Sequence, residues 1–125
     1  MYILKKSVNV VSTHKLSLNY DSYSNQAHQY LYNIDVYICS NFLNPDGMVM
    51  DSDLIGNTIN EYFDQENLNE KFDFAPTAEN LAKWIGNKFT DRSNSIICYK
   101  AVVKTAFETA VYIRPNYKDE ASISF

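Results

Sequence analysis

Hydrophobic and polar positions alternate from Ser7 to Leu18. Val8, Val10, Ser12, His14, Leu16 and Leu18 fall on one face, with Asn9, Val11, Thr13 and Lys15 on the other. A period of two over this length predicts a strand that ends near His14. The alternation returns between His28 and Cys39: His28, Tyr30, Tyr32, Ile34, Val36 and Ile38 share one face, and Gln29, Asn33 and Asp35 the other. In both segments the polar members of the apolar face gather at one end. Asn44-Pro45-Asp46-Gly47 then reads as a type I turn, with proline second and glycine fourth.

Beyond Asp51 the period changes. Leu54, Ile55, Ile59, Tyr62 and Phe63 recur at helical intervals within Asp53–Phe63, and an acid in the first turn suits the helix dipole. Gly56 is an unfavourable residue inside that helix. A second helix follows Pro76, capped by Thr77, with Asn80 at the capping-box position and Leu81, Trp84, Ile85 and Phe89 as its apolar stripe. Ser95–Lys104 and Glu108–Arg114, rich in Ile, Val and Tyr, read as two further strands. The order is β-β-α-α-β-β, an α+β domain in which two helices cover one face of a four-stranded antiparallel sheet. Its core runs from about residue 8 to 114, and 115–125 is expected to be a peripheral tail. The open sheet edges invite pairing with other copies of the chain, so an oligomeric barrel is expected.

Length, composition and charge narrow the function. At 125 residues, 46% hydrophobic and 14% aromatic, the chain can bury a real core but suits a single domain. The 11 Lys and Arg residues do not cluster and the net charge is −4, so no phosphate-binding footprint is present and nucleic acid is not an expected partner. No segment is apolar enough to span a bilayer, and the N-terminus lacks a cleavage pattern, so no membrane association is expected. Cys39 and Cys98 sit in apolar strands without CxxC spacing. This suits a reducing compartment, and the expected location is the cytoplasm.

Several segments together resemble the family of 6-pyruvoyl-tetrahydropterin synthase and 6-carboxytetrahydropterin synthase, the latter an enzyme of the queuosine pathway. Asn44–Leu54, "NPDGMVMDSDL", is similar to that family's turn and helix entry, Gly-Met-Val-x-Asp. Phe63–Glu70, "FDQENLNE", resembles Leu-Asp-His-x-x-Leu-Asn, and Ala75–Ile85, "APTAENLAKWI", matches Pro-Thr-x-Glu-x-Leu-Ala-x-Trp. The similarity runs from about Val8 to Tyr112. It implies the tunnelling fold (T-fold), in which three subunits close a twelve-stranded β-barrel and two trimers stack into a hexamer. Active sites would then lie between subunits.

The resemblance also implies a zinc ion held by three histidines, one ending the first strand and two in a His-x-His pair opening the second. His14 and His28 match the first two ligands, and Tyr30 stands at the third. Two imidazoles and a phenol make a poor zinc set, so the site is incomplete and no cofactor is expected. Ser24 stands where the family has its cysteine base, and a serine has no thiolate to offer. The family's Asp-His pair becomes Asp64-Gln65, and an amide cannot carry a proton in and out. Asp64 and Gln65 could equally be a solvated helix C-terminus. The pterin-anchoring Glu-Thr pair, eight residues before an aromatic, aligns with Lys104-Thr105 ahead of Tyr112. An ammonium reverses what that anchor recognises, unless a shifted register brings Glu108 into the role.

Two functions stay open. The first is a repurposed small-molecule biosynthetic enzyme of the lyase, cyclisation or isomerisation type, using an intersubunit pocket on a compact polar substrate. His14 and His28 would act as acid and base. Lys104 would bind a carboxylate or form a Schiff base. Ser24, Tyr30 and Gln65 would orient the substrate. The second is a non-catalytic homologue that binds a ligand or assembles with a competent paralogue. Survival of the family reaction would need zinc on His14, His28 and a third ligand that the sequence does not identify.

Overall fold

The structure, a computed structural model, describes residues 1–15 and 28–115. Four strands form one antiparallel sheet in chain order: β1 (Tyr2–His14), β2 (His28–Ser40), β3 (Ile97–Lys104) and β4 (Thr109–Ile113). Between β2 and β3 lie α1 (Ser52–Phe63), the single-turn α2 (Leu68–Lys71) and α3 (Ala78–Lys88), followed by a 3₁₀ turn at Arg92–Asn94. The α2 turn and the 3₁₀ turn are too short to leave a period in the sequence. β1 starts at Tyr2, ahead of the alternation that begins at Ser7, and pairs along its whole length from Tyr2–Ser40 to His14–His28. Ile3 and Lys5 face away from the helices, where alternation is weakly enforced.

The predicted faces are the observed ones. Val8, Val10, Ser12 and His14 of β1, and Tyr30, Tyr32, Ile34, Val36 and Ile38 of β2, are buried beneath the helices. They pack with Ile55, Ile59 and Phe63 of α1 and with Leu81, Ala82 and Ile85 of α3. A smaller cluster of Tyr37, Cys39 and Tyr99 occupies the opposite face. There Ile38 pairs with Cys98 and Tyr37 with Lys100, so Tyr99 bulges out of the ladder.

Local signals end each helix as the chemistry requires. The Asp51 carboxylate accepts from Asp53 N at the start of α1. Thr77 Oγ1 accepts from Asn80 N at the start of α3, while Asn80 Nδ2 donates to Ala75 O. In the Asn44–Gly47 turn Gly47 N donates to Asn44 O, and Gly47 takes a φ of 82°, which only glycine adopts without cost. At the far end of α3 the Arg114 guanidinium donates to Gly86 O, Thr90 Oγ1 and Cys98 O. That clasp ties the last strand to the helix C-terminus, where a cation also suits the dipole.

Ser24 lies outside the described residues, as do Leu16 and Leu18 and the tail beyond Pro115.

Candidate functional site

β2 is longer than its neighbour. The last pair with β3 is Asn33–Lys104, so His28–Tyr32 overhang the end of β3 and pair only with β1. The polar end of the buried face therefore sits on a ledge at one end of the sheet. His14 and His28 are direct cross-strand partners on it, in the closing pair of the β1–β2 ladder.

Tyr30 packs against both imidazoles. Its ring stacks on His14 with centroids 4.4 Å apart and planes 10° from parallel, and meets His28 edge-on at 6.3 Å. Tyr32, whose side chain is fully buried, shares a 2.6 Å hydrogen bond between its hydroxyl and His14 Nδ1, the tautomer of the imidazole setting which of the two donates. Burial holds His14 below the usual histidine range, and the charge of His28 pushes the same way. Burial raises the Tyr32 phenol well above the usual tyrosine range, with the nearby Tyr30 phenol and the Glu108 carboxylate also disfavouring its anion, so it stays protonated at neutral pH.

Tyr32 was not singled out from the sequence. It carries the same alternation signal as Ile34 and Val36, and only the position of its hydroxyl distinguishes it from a core residue. A useful clue was that it follows Tyr30 on the face that also carries both histidines.

Beside the ledge a cleft of about 300 Å³ is lined by Gln29, Tyr30, Asn33, Lys104, Thr105 and Phe107, among others. Lys104 faces away from the helices, on the same outward face as Gln29, Leu31 and Asn33, and lines the cleft with them, whereas His14 and His28 are not among its lining residues. Thr105 is buried, and its Oγ1 accepts from Phe107 N and Glu108 N, so its hydroxyl holds the β3–β4 turn in shape. Phe107, 73% exposed at the tip of that turn, meets Tyr30 edge-on at 6.2 Å. Glu108 does not line the cleft, but its charge acts on Tyr32.

Asp64 and Gln65 lie elsewhere, on the outer edge of β1. Asp64 Oδ1 accepts from Val11 N at 3.2 Å, Gln65 N donates to Val11 O at 2.7 Å, and Thr13 N donates to Glu66 O at 2.9 Å. This short run after α1 covers the C-terminal part of the strand's open edge, with Gln65 in the left-handed region at φ 59° to make the turn. Within one protomer the Asp64 carboxylate is a strand-edge acceptor. Among the described residues no three of His, Cys, Asp and Glu gather closely enough to hold a metal ion. No helix among them is long and apolar enough to cross a membrane.

The fold is shared with solved structures. An uncharacterised protein from Wolinella succinogenes superposes with a TM-score of 0.70 at 14% identity, over 90% of this chain and 98% of that one. The 6-pyruvoyl tetrahydropterin synthase of Caenorhabditis elegans superposes with a TM-score of 0.61 at 18% identity, over 90% and 95%. Among curated proteins, none matches the sequence. The family model for 6-pyruvoyl tetrahydropterin synthase matches residues 3–115, nearly the whole chain, and the protein belongs to that family.

Proposed function

We propose that the protein is a repurposed small-molecule enzyme of this family, acting by a lyase, cyclisation or isomerisation step on a compact polar substrate that carries a carboxylate. The observation that supports the reading is the cleft beside the β2 ledge, in which the Lys104 ammonium and the Tyr30 ring share one lining, with Tyr30 also stacked on His14 behind it. Its volume of about 300 Å³ suits a small ligand. Lys104 holds the substrate carboxylate, and Gln29 and Asn33 supply amide donors and acceptors. Tyr30 and Phe107 present ring surface for the carbon skeleton. His14, oriented by Tyr32, and His28 lie behind Tyr30 and serve as the proton-transfer groups in this reading.

Phe107 stands far out at the turn tip, and Val111 and Ile113 of the edge strand β4 are also exposed. These apolar positions, together with the uncovered first half of β1, support a homo-oligomer, trimer or hexamer, whose neighbouring subunit completes the cleft. In it Asp64 and Gln65, at the β1 edge, would face the neighbour, and Thr105 and Glu108 would contribute from the β3–β4 turn. The two buried, unbridged cysteines support a cytoplasmic location.

A second reading, a ligand-binding homologue without turnover, is favoured by the commitment of Asp64 Oδ1 and Thr105 Oγ1 to backbone hydrogen bonds. One experiment separates the two. The protein is screened against small carboxylic acids and 2-oxo acids by thermal shift and by NMR detection of product, with Lys104→Ala alongside. Stabilisation and turnover that both vanish in the variant support the enzyme. Stabilisation without turnover supports the binding homologue. An unchanged response in Lys104→Ala refutes the role of Lys104 in either.

A further inference from the structure

The family implies a zinc ion on His14 and His28, and the donor set on the page does not fit one. The third-ligand place is filled by a phenol whose ring is stacked flat on one imidazole and edge-on to the other. Among the described residues the two histidines have no third nitrogen, thiolate or carboxylate ligand, which falls short of a usual zinc site.

We propose that Tyr30 is the residue that makes this site independent of metal. Its ring packs against both imidazoles where a third ligand would stand, and the single substitution Tyr30→His would create a zinc-binding triad. The distances support the second half as much as the first. Two imidazoles sharing a tetrahedral zinc through bonds of about 2.0–2.1 Å have ring centroids roughly 5 Å apart. The Tyr30 ring lies 4.4 Å from His14 and 6.3 Å from His28, values that bracket that separation. His14 and His28 are themselves paired across the strands. A third imidazole at position 30 therefore projects from the right strand, on the right face, at the right range.

Zinc on His14 Nε2 in that variant would fix the direction of the Tyr32 hydrogen bond: Nδ1–H would donate to the Tyr32 oxygen, the orienting bond that metal-bound histidines commonly make.

The test reads metal rather than turnover, so it stands apart from the cleft chemistry proposed above. Wild type, Tyr30→His and the double variant His14→Phe/Tyr30→His are purified without chelator, dialysed against zinc and analysed for metal by mass spectrometry. Thermal melts are run with and without a zinc chelator, and circular dichroism checks that each is folded. The expected result is under about a tenth of an equivalent in wild type and about one equivalent per chain in Tyr30→His, with a melting point that falls on chelation only in that variant. The double variant should return to the wild-type level. Stoichiometric zinc in wild type overturns the proposal. So does a folded Tyr30→His protein that takes up no more zinc than wild type, or one whose zinc survives loss of His14.

Discussion

Replacing Tyr32 with phenylalanine removes one oxygen from the site and little else. The ring remains in the core beside Ile34 and Val10, while His14 Nδ1 loses the Tyr32 hydroxyl as its hydrogen-bond partner. Both side chains are buried, and the 2.6 Å separation marks a well-formed bond, so water cannot readily substitute. A buried acceptor left unsatisfied costs about 1–3 kcal/mol, and the gain from burying a slightly more apolar ring offsets part of that. We expect Tyr32→Phe to lower stability by about 1–2 kcal/mol, roughly 3–8 °C in melting temperature for a domain of this size. Urea denaturation at fixed protein concentration is the assay, because association would add to apparent stability. The cycle with His14→Phe and the double variant isolates the bond. Each single change strands a polar group and the double change strands neither, so the double variant should be more stable than additivity predicts by about 1–2 kcal/mol. A Tyr32→Phe protein within about 0.3 kcal/mol of wild type, or an additive cycle, would show that the pair is not a structural unit.

Three further outcomes follow from the same structure. His14 has a folded-state pKa below its unfolded value near 6.5, so the unfolded chain binds more protons and stability falls as pH drops from neutrality through the mid-acid range. Urea midpoints at pH 7 and pH 5 should therefore separate more in wild type than in His14→Phe, and equal separations would contradict the assignment. Gly86→Ala should destabilise by about 1–3 kcal/mol despite alanine's better helix propensity, because its Cβ would lie 2.7 Å from the Tyr112 ring. Gly56→Ala meets only the flexible end of Lys6 at 3.4 Å and should be neutral or stabilising by up to about 1 kcal/mol. Thermal melts of the two variants check the opposite signs. Arg114→Ala should cost about 2–4 kcal/mol through loss of the bonds to Gly86 O, Thr90 Oγ1 and Cys98 O, with Arg114→Lys recovering less than half. A lysine variant as stable as wild type would mean that charge at the helix end, rather than the guanidinium fork, is what matters.

The fold was legible because its signals are local and repeated. Alternation over Val8–His14 and His28–Ile38 assigns the positions buried beneath the helices in the two long strands, though not Tyr37 and Cys39 on the opposite face, and Thr77 marks the start of α3 to the residue. What the sequence missed is short or lies off the buried face: the single turn at Leu68–Lys71, the first residues of β1, and the bulge at Tyr99. The site was legible in its members but not in their relations. Position alone puts His14, His28 and Tyr30 on one face, yet that Tyr30 stacks on one histidine and abuts the other depends on rotamers that no spacing reveals. Lys104 and the histidines point to opposite faces of the sheet, and the cleft at the overhang of β2 past Asn33 takes in Lys104 and Tyr30 but neither histidine, an outcome of strand length rather than of a motif. Asp64 lies on the outer β1 edge, with a carboxylate bond to Val11 N that the helix pattern of α1 could not announce.

That overhang also explains how a chain of this family can change its chemistry and keep its fold. The residues that close the core, such as Ile34, Val36, Ile55 and Leu81, lie where β2 is flanked on both sides and covered by helices, so any change of volume there is felt. His28–Tyr32 lie beyond the last β3 pair, where one flank of the strand is free of sheet contacts. A metal ligand lost from such a ledge removes the metal's contribution to local order, and an aromatic residue can replace much of it. A stacked ring pair is worth about 0.5–1.5 kcal/mol beyond its area, and the buried hydroxyl–imidazole bond a similar amount. Tyr30 and Tyr32 supply one each, both to His14. On the proposals made above, the ledge would stay ordered without an ion, and Tyr30 would be a structural replacement and a functional change at once, which is why one substitution at that position tests both.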